Sequence, residues 1–429
     1  MTDAGAVGTF HPSTRAYRFA LLFFVGLLTY GSYFAYDVVG ALAPTLMGAW
    51  HTTQEGIGSL YTAYSVAAIF TVALGGYLAD RIGTRLAGIL LAAVVAIGAA
   101  MVALAPSLEV AIAGRFMFGA GSESLIVTQN AMLARWFRGK ELALSFGVTL
   151  AIARLGTLFS FNSASATASR FGWRSALWIA VLLCVVSLLC ALVYWLMDRK
   201  GERALGLAEA GAGDKIVLAD VKKFTASYWF VVLLCVTFYS AIFPFQTFAI
   251  KFFQEAHGTT REFAGFLSSL LTLFAMIFTP LFGYLVDRVA RRALFMMYGS
   301  LLLVPVYLMM VYTHVHLLVP MAMMGIAFSL VPAVLWPSVA YIVEEQKLGT
   351  AYGLMTMIQN IGLAGYNFLI GWANDFSNAS AANPGGYALG MWIFSLSGFL
   401  GFFFSWMLHR AETGPHAHGL ETITTKSGA

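Results

Sequence analysis

The sequence predicts an all-α membrane protein: twelve transmembrane helices arranged as two similar six-helix halves. Three observations lead there. Of 429 residues, 59% are hydrophobic and only 10% charged, with a mean hydropathy of +0.78, whereas a water-soluble domain carries roughly 25% charged residues. The apolar residues form long continuous runs, not the apolar–polar alternation over about 10 residues that marks a barrel strand. A glycine-bounded motif near residue 80 also returns in the second half of the chain.

A spanning helix needs about 20 mostly apolar residues, because lipid satisfies no backbone polar group. Breaks at Gly, Pro and charge clusters place spans near 18–47, 55–79, 84–105, 108–134, 141–168, 173–197, 226–252, 262–286, 292–312, 317–343, 348–374 and 387–409. The first run is too long for a signal peptide's core and is expected to be retained. The charged, Gly/Ala-rich stretch 198–225 reads as a linker. The expected organisation is therefore a tail 1–17, a half 18–197, the linker 198–225, a half 226–410 and a tail 411–429.

The halves repeat at an offset of 206 to 207 residues. Gly76-Tyr-Leu-Ala-Asp80-Arg81 is answered by Gly283-Tyr-Leu-Val-Asp287-Arg288, and Gly119, Gly147 and Gly156 by Gly325, Gly353 and Gly362. Two parallel, similar halves suit a transporter that rocks about a midplane site; a channel or receptor does not call for the duplication. With both termini cytoplasmic, nineteen of the 25 Lys and Arg residues fall on the inner side and four on the outer, the bias that sets orientation.

Several chemistries are set aside. Cys184, Cys190 and Cys235 lie in apolar runs, without disulfide or metal spacing, and the histidines lie in tails or at span ends. No Walker loop, nucleophile elbow or metal-ligand run occurs. No catalytic residue, enzyme activity, cofactor, metal or nucleic-acid partner is expected, despite a pI near 9.0; the basic residues mark sidedness.

Ionisable residues inside spans cost about 2.5–3.5 kcal/mol each on insertion scales and are functional hypotheses by default. Four qualify: Asp37, Arg115, Glu123 and Arg154. The repeat maps Arg115, Glu123 and Arg154 onto Met321, Ser329 and Asn360, so the fold itself does not require these charges. Counting from the inner boundary, Glu123 lies about 18 Å and Arg154 about 20 Å deep at 1.5 Å per residue. At nearly equal depth on antiparallel neighbours, this pair suits a small zwitterion, ammonium on Glu123 and carboxylate forked by Arg154. The alternative is a salt bridge that only pins two helices.

Asp37, beside Tyr33 and Tyr36, has three readings: an amine site, a coupling-proton site or an interhelical hydrogen bond. Arg115, nearer the outside, pairs with Asp37 or with outer-half carbonyls. Tyr36, Tyr239, Phe243, Gln246, Trp336, Gln359 and Asn360 are candidate cavity residues, with helix packing as the alternative for each. Pro244, Pro332 and Pro337 loosen helices where transporters bend. The charges Asp80, Arg81 and Arg85 form a candidate inner gate, with Asp287, Arg288, Arg291 and Arg292 as its counterpart.

The Gly76–Arg85 signature and its echo at 283–292 resemble the major facilitator superfamily, which implies the major facilitator fold. Over spans 4 and 5 the resemblance narrows. Gly114-Arg-Phe-Met-Phe-Gly-Ala-Gly-Ser-Glu123, Gln129-Asn130, Trp136-Phe-Arg-Gly-Lys-Glu-Leu and Ala153-Arg154-Leu-Gly are similar to a lysosomal dipeptide-transporting branch of that superfamily. Phe243-Pro-Phe, Leu335-Trp-Pro, Leu348-Gly-Thr-Ala-Tyr-Gly and Gln359-Asn360-Ile-Gly-Leu follow the same pattern. The resemblance implies dipeptide transport without proton coupling, with Glu123 and Arg154 holding the two backbone termini. Two departures stand out: the tail Met1–Tyr17 has no acidic dileucine signal, and the short outer loops hold one glycosylation-like triplet, Asn378-Ala379-Ser380. No accessory subunit is expected, and a multi-pass protein of a bacterial inner (plasma) membrane is.

The leading reading is an alternating-access carrier that moves dipeptides across the bilayer by uniport. The alternatives are an anion or monocarboxylate carrier using Arg154, a proton-coupled drug or sugar transporter using Asp37 or Glu123, and a non-transporting receptor that kept the fold.

Overall fold

In the computed structural model, the described residues are 11–137, 141–205, 221, 223–344, 347–415 and 417–422; the side chains at 73, 80, 142 and 143 fall outside them. The helices are α1 (Arg15–Ala41), α2 (Ala43–Ala49), α3 (Gln54–Leu104), α4 (Leu108–Phe137), α5 (Leu142–Phe171), α6 (Trp173–Leu205), α7 (Ala226–His257), α8 (Arg261–Val289), α9 (Arg292–Tyr312), α10 (Leu318–Ile342), α11 (Leu348–Phe376) and α12 (Ala388–Glu412). Ten helical segments are long and apolar enough to cross a membrane. The first part of α3 and the amide-rich α11 bring the spans to twelve.

Three elements differ from the sequence reading for local reasons. The predicted span 18–47 bends: α1 ends at Ala41, Leu42 caps it, and Pro44, whose missing N–H suits a first helical turn, stands in the first turn of α2. Spans 2 and 3 are one element, α3, interrupted only at Gly83, where φ is +80° and ψ 152°. Glycine enters that region without the Cβ clash other residues meet. At the repeat-equivalent turn stand Ala290 and Arg291, with φ of +58° and +49°. Third, α6 runs past Asp198 to Leu205, so the helix continues into the stretch read as linker; residues 206–220 and 222 of that linker lie outside the described residues.

The repeat is visible in the packing. α1 contacts α5 and α6 as α7 contacts α11 and α12; α3 contacts α4 and α6, as α8 contacts α10 and α9 contacts α12. Across the halves, α3 meets α11 and α5 meets α8, an exchange of equivalent spans. The α3–α11 seam lies at the face opposite the chain termini and is built of small residues. Gln54, Gly58 and Thr62 run along α3 against Gly371, Asn367 and Ala364 of the antiparallel α11. A Cβ on Gly58 would stand 2.3 Å from the Asn367 carbonyl oxygen. The Thr62 hydroxyl donates to the Ala364 carbonyl at 2.8 Å. Such close backbone approach is how helices bind one another where lipid offers no hydrophobic drive. Farther out, the Asp375 carboxylate accepts from the Gln54 and Glu55 N–H groups at 3.1 and 2.7 Å.

Near the face bearing the termini, charges tie helices within each half. Buried Asp198 accepts from Arg85 Nε at 2.5 Å, Arg135 Nε at 3.0 Å and Trp136 Nε1 at 2.6 Å. Arg15 and Arg18 of α1 reach Glu141 at 3.0 and 3.5 Å. The chain after α12 folds back: Leu420 is fully buried and the Glu421 carboxylate accepts from the Ala293 N–H at 2.8 Å, at the start of α9.

Candidate functional site

Glu123 on α4 and Arg154 on α5 are both half-buried, although each stands in the middle of its helix. Among the described residues they do not form an ion pair, which removes the reading in which a salt bridge simply pins α4 to α5. Glu123 accepts from the Tyr64 hydroxyl of α3 at 2.6 Å. The Arg154 guanidinium makes no hydrogen bond to a described residue; it lies between the rings of Tyr33 (5.6 Å) on α1 and Phe328 (5.4 Å) on α10. Cation–π contacts hold a guanidinium by its face and leave the N–H donors at its edge unused. The site thus presents a carboxylate with spare acceptor capacity and a cationic fork with spare donors. Tyr33 of α1, which contacts Arg154, lies within electrostatic reach of Glu123 and Asp37 as well.

Asp37 is buried beside Thr157 and within electrostatic reach of Arg154 and Arg115. Arg115 is more deeply enclosed, 1% exposed. Its Nε and Nη1 donate to the Leu60 and Ala35 carbonyls at 3.5 and 3.3 Å. Tyr36, Tyr61, Tyr64 and Phe118 surround the guanidinium at 4.8 to 5.4 Å. Of the two partners the sequence offered for Arg115, carbonyls are the ones it bonds. Tyr36 is part of this cage, edge-on to Tyr61 and Tyr64; it joins Arg115 to the Tyr64–Glu123 hydrogen bond.

From the second half come aromatic rings and amides. Tyr239 stacks on Phe243 and accepts from Trp336 Nε1 at 2.8 Å, and Phe328 meets both Tyr239 and Phe243 edge-on. Trp336 in turn stacks on Tyr352. This cluster is the wall that faces Arg154. Gln246 is buried and donates to the Ser268 carbonyl at 3.2 Å. Asn360 donates to Thr356 of its own helix at 3.1 Å. Both amides are engaged in packing here and are not brought to Glu123 or Arg154 by any described contact.

The gating candidates are placed as follows. The side chain of Asp80 lies outside the described residues. Arg81 is exposed and bonds the Tyr77 hydroxyl, while Arg85 pairs with Asp198 and Glu202 of α6. Arg288 stacks on Tyr284 at 4.3 Å, and Asp287 faces Arg292 at 3.4 Å. In this conformation these pairings lie within one half each. Sequence reasoning missed Tyr64, Phe328 and Asp198. For Tyr64 a signal existed: Tyr61 and Tyr64 at i, i+3 spacing form an aromatic face on the span that packs against α4.

The family model of the Major Facilitator Superfamily matches residues 22–362 and 229–424. The chain belongs to the major facilitator superfamily. Within this superfamily it is 36% identical over 369 residues to the lysosomal dipeptide transporter MFSD1 of Danio rerio, covering 82% of this chain and 80% of that protein. To the Homo sapiens protein of the same name it is 33% identical over 378 residues, covering 85% and 81%. A solved bacterial homolog of the human lysosomal transporter Spinster, in an inward-facing and unoccupied conformation, superposes with a TM-score of 0.74 at 15% identity, covering 93% of this chain and 98% of that one. At that identity the likeness is one of fold. The chain is therefore a multi-pass transporter of the major facilitator superfamily, its cargo a small molecule.

Proposed function

We propose that this superfamily member is a uniporter of small zwitterions, dipeptides foremost, that works by alternating access. Glu123 takes the peptide ammonium and Arg154 forks the carboxylate. The observation that carries the reading is that these two opposite charges, at nearly equal depth by residue count along their helices, are unpaired with each other and each has bonding capacity left over. A charge left unpaired inside a membrane span is costly, and a ligand that supplies both missing partners recovers part of that cost. Relatives named as dipeptide transporters support the same cargo.

In the proposed cycle, the half built on α1–α6 rocks against the half built on α7–α12, and the closed α3–α11 seam seals the face opposite the termini while the site opens toward the terminal face. The Lys/Arg bias makes that terminal face cytoplasmic. When the halves rock the other way, Arg81, Arg85, Asp287 and Arg288 come together as the inner gate. Asp37 balances the positive charge of Arg154 and Arg115, and Tyr36, Tyr239, Trp336, Gln246 and Asn360 complete the cavity wall.

The test is binding and uptake with purified protein in liposomes. Free dipeptides are expected to stabilise and to cross; N-acetylated dipeptides are expected to bind at least ten-fold more weakly, a loss of about 1.4 kcal/mol. Glu123→Gln, which keeps the Tyr64 hydrogen bond, is expected to abolish that discrimination, and Arg154→Lys to weaken every free dipeptide. Equal binding of acetylated peptides, lactate or nitrate by the wild type would replace this reading with an anion carrier anchored on Arg154.

A further inference from the structure

Arg154 carries the positive charge that faces the substrate in the proposed site, yet no hydrogen bond to a described residue orients it. Its position is set by two rings. Tyr33 belongs to the same half as Arg154; Phe328 comes from α10 in the other half and is 3% exposed. Phe328 is itself held edge-on by Tyr239 and Phe243, with ring centroids 6.2 and 5.7 Å away and interplanar angles of 77° and 90°. Its place in the repeat, one residue before Ser329, the counterpart of Glu123, puts it at the depth of the charged pair.

We propose that Phe328 is a positioning residue for the substrate carboxylate: its ring holds the Arg154 guanidinium from the opposite half, leaving the N–H fork free to close on the anion. The proposal rests on the zwitterion-carrier reading and deepens it. A hydrogen-bonding partner on α10 would orient Arg154 equally well but would consume the donors that a carboxylate needs. An aromatic face does not, because the quadrupole acts on the plane of the guanidinium and the donors radiate from its edge. Since Phe328 and Arg154 lie in different halves, the clamp exists only while the Phe328 ring stays over the guanidinium. Rocking that parts them loosens the fork, so anion affinity differs between the two access states, and substrate release follows from the movement itself.

The experiment compares wild type, Phe328→Leu, Phe328→Tyr and Phe328→Trp by titration with alanyl-alanine, its C-terminal amide and lactate. Leucine keeps an apolar side chain but removes the ring face. Phe328→Leu is expected to weaken alanyl-alanine by about three- to thirty-fold, the range of a cation–π contact, and to leave the amide within two-fold. Tyrosine or tryptophan is expected to restore affinity for the acid. Equal loss for acid and amide, or no loss for either, would overturn the proposal and leave Phe328 as ordinary cavity lining. Wild-type protein that binds the acid and its amide alike defeats the zwitterion reading instead; Phe328 is then judged on lactate, which must lose the same factor. Wild-type protein that binds none of the three probes removes the anion from Arg154, and both readings fall.

Discussion

Asp375, at the end of α11, accepts the Glu55 N–H at 2.7 Å and so caps the first turn of α3 from the opposite half of the molecule. Helix N-termini leave their first N–H groups without partners and carry partial positive charge. Here Thr53 satisfies one of them within its own helix, at Gly56, and Asp375 supplies the Gln54 and Glu55 groups from outside. The Gln54 side chain adds contacts to the Ala379 carbonyl and the Asn374 amide at 3.2 and 3.1 Å. The cap therefore exists only while the two halves are closed at this face.

Asp375→Ala is expected to shift the resting protein toward opening at that face. Losing a capping acceptor costs about 0.5–2 kcal/mol, which changes a two-state population by about two- to thirty-fold. Cys184, Cys190 and Cys235 are all buried, so a cysteine introduced at Thr62, beneath the cap, reports the seam against a low background. Labelling of that cysteine by a maleimide added from the far side should rise in Asp375→Ala and stay near the parent level in Asp375→Asn, which keeps an acceptor. An unchanged rate in the alanine variant would show that the small-residue seam alone holds the face closed.

How much of this was legible in the sequence depended on whether the signal was intrinsic to one helix. Glu123 and Arg154 stood out because a charge in a span is costly wherever it points, and their depths follow from counting residues along each helix. The twelve spans and the repeat were legible for the same reason. Partners were not. Asp198 lay beyond the boundary expected for its span, so the charges Arg85 and Arg135 were left to seek partners elsewhere, although both end on that one buried carboxylate. Phe328 is one of 35 phenylalanines in the chain; nothing in its neighbours along the sequence marks it as the ring beneath Arg154. The Asp375 cap joins residues more than 300 positions apart and becomes visible only once α3 and α11 are side by side.

Arg115 has a structural signature that separates it from the site. It is enclosed by four rings and two carbonyls, with Nη2 buried and without a hydrogen-bond partner among the described residues. Arg115→Lys keeps the charge but loses the planar fork that reaches the Leu60 and Ala35 carbonyls together, a loss of about 1–3 kcal/mol. A melting temperature several degrees lower is expected, with dipeptide affinity within about three-fold of wild type once the protein is folded. A large loss of affinity at unchanged melting temperature would move Arg115 into the binding machinery.

The two repeat-equivalent turns differ in strain. Gly83 takes its positive φ freely, whereas Ala290 adopts φ +58° and ψ −129° with a Cβ. A non-glycine residue in such a region costs about 1–3 kcal/mol. Ala290→Gly should therefore raise the melting temperature, and Gly83→Ala should lower it. The pair is informative together: a helix-propensity effect alone would favour alanine at both positions, opposite to the expected sign.

The charge clusters of the two halves should respond unequally to loss of their carboxylates. Asp198 is fully buried and serves Arg85, Arg135 and the Trp136 indole, while Asp287 is 54% exposed in its pair with Arg292. Removing one partner of a buried ion pair strands the others in a low-dielectric setting, at a cost of about 3–5 kcal/mol. The Asp287 carboxylate faces solvent, and the buried Arg292 keeps its bonds to the Leu420 carbonyl and the Tyr341 hydroxyl when that carboxylate is lost, so the cost there is smaller. Asp198→Asn is thus expected to cut the melting temperature and the yield of folded protein sharply, and Asp287→Asn to leave both close to wild type. If the outer-facing state assembles a gate around Asp287, its substitution should instead appear in transport, as a changed ratio of uptake to efflux rates at unchanged thermal stability. Measuring both variants by thermal unfolding and by counterflow in liposomes separates the structural carboxylate from the gating one, and equal thermal losses would refute the distinction drawn from their burial.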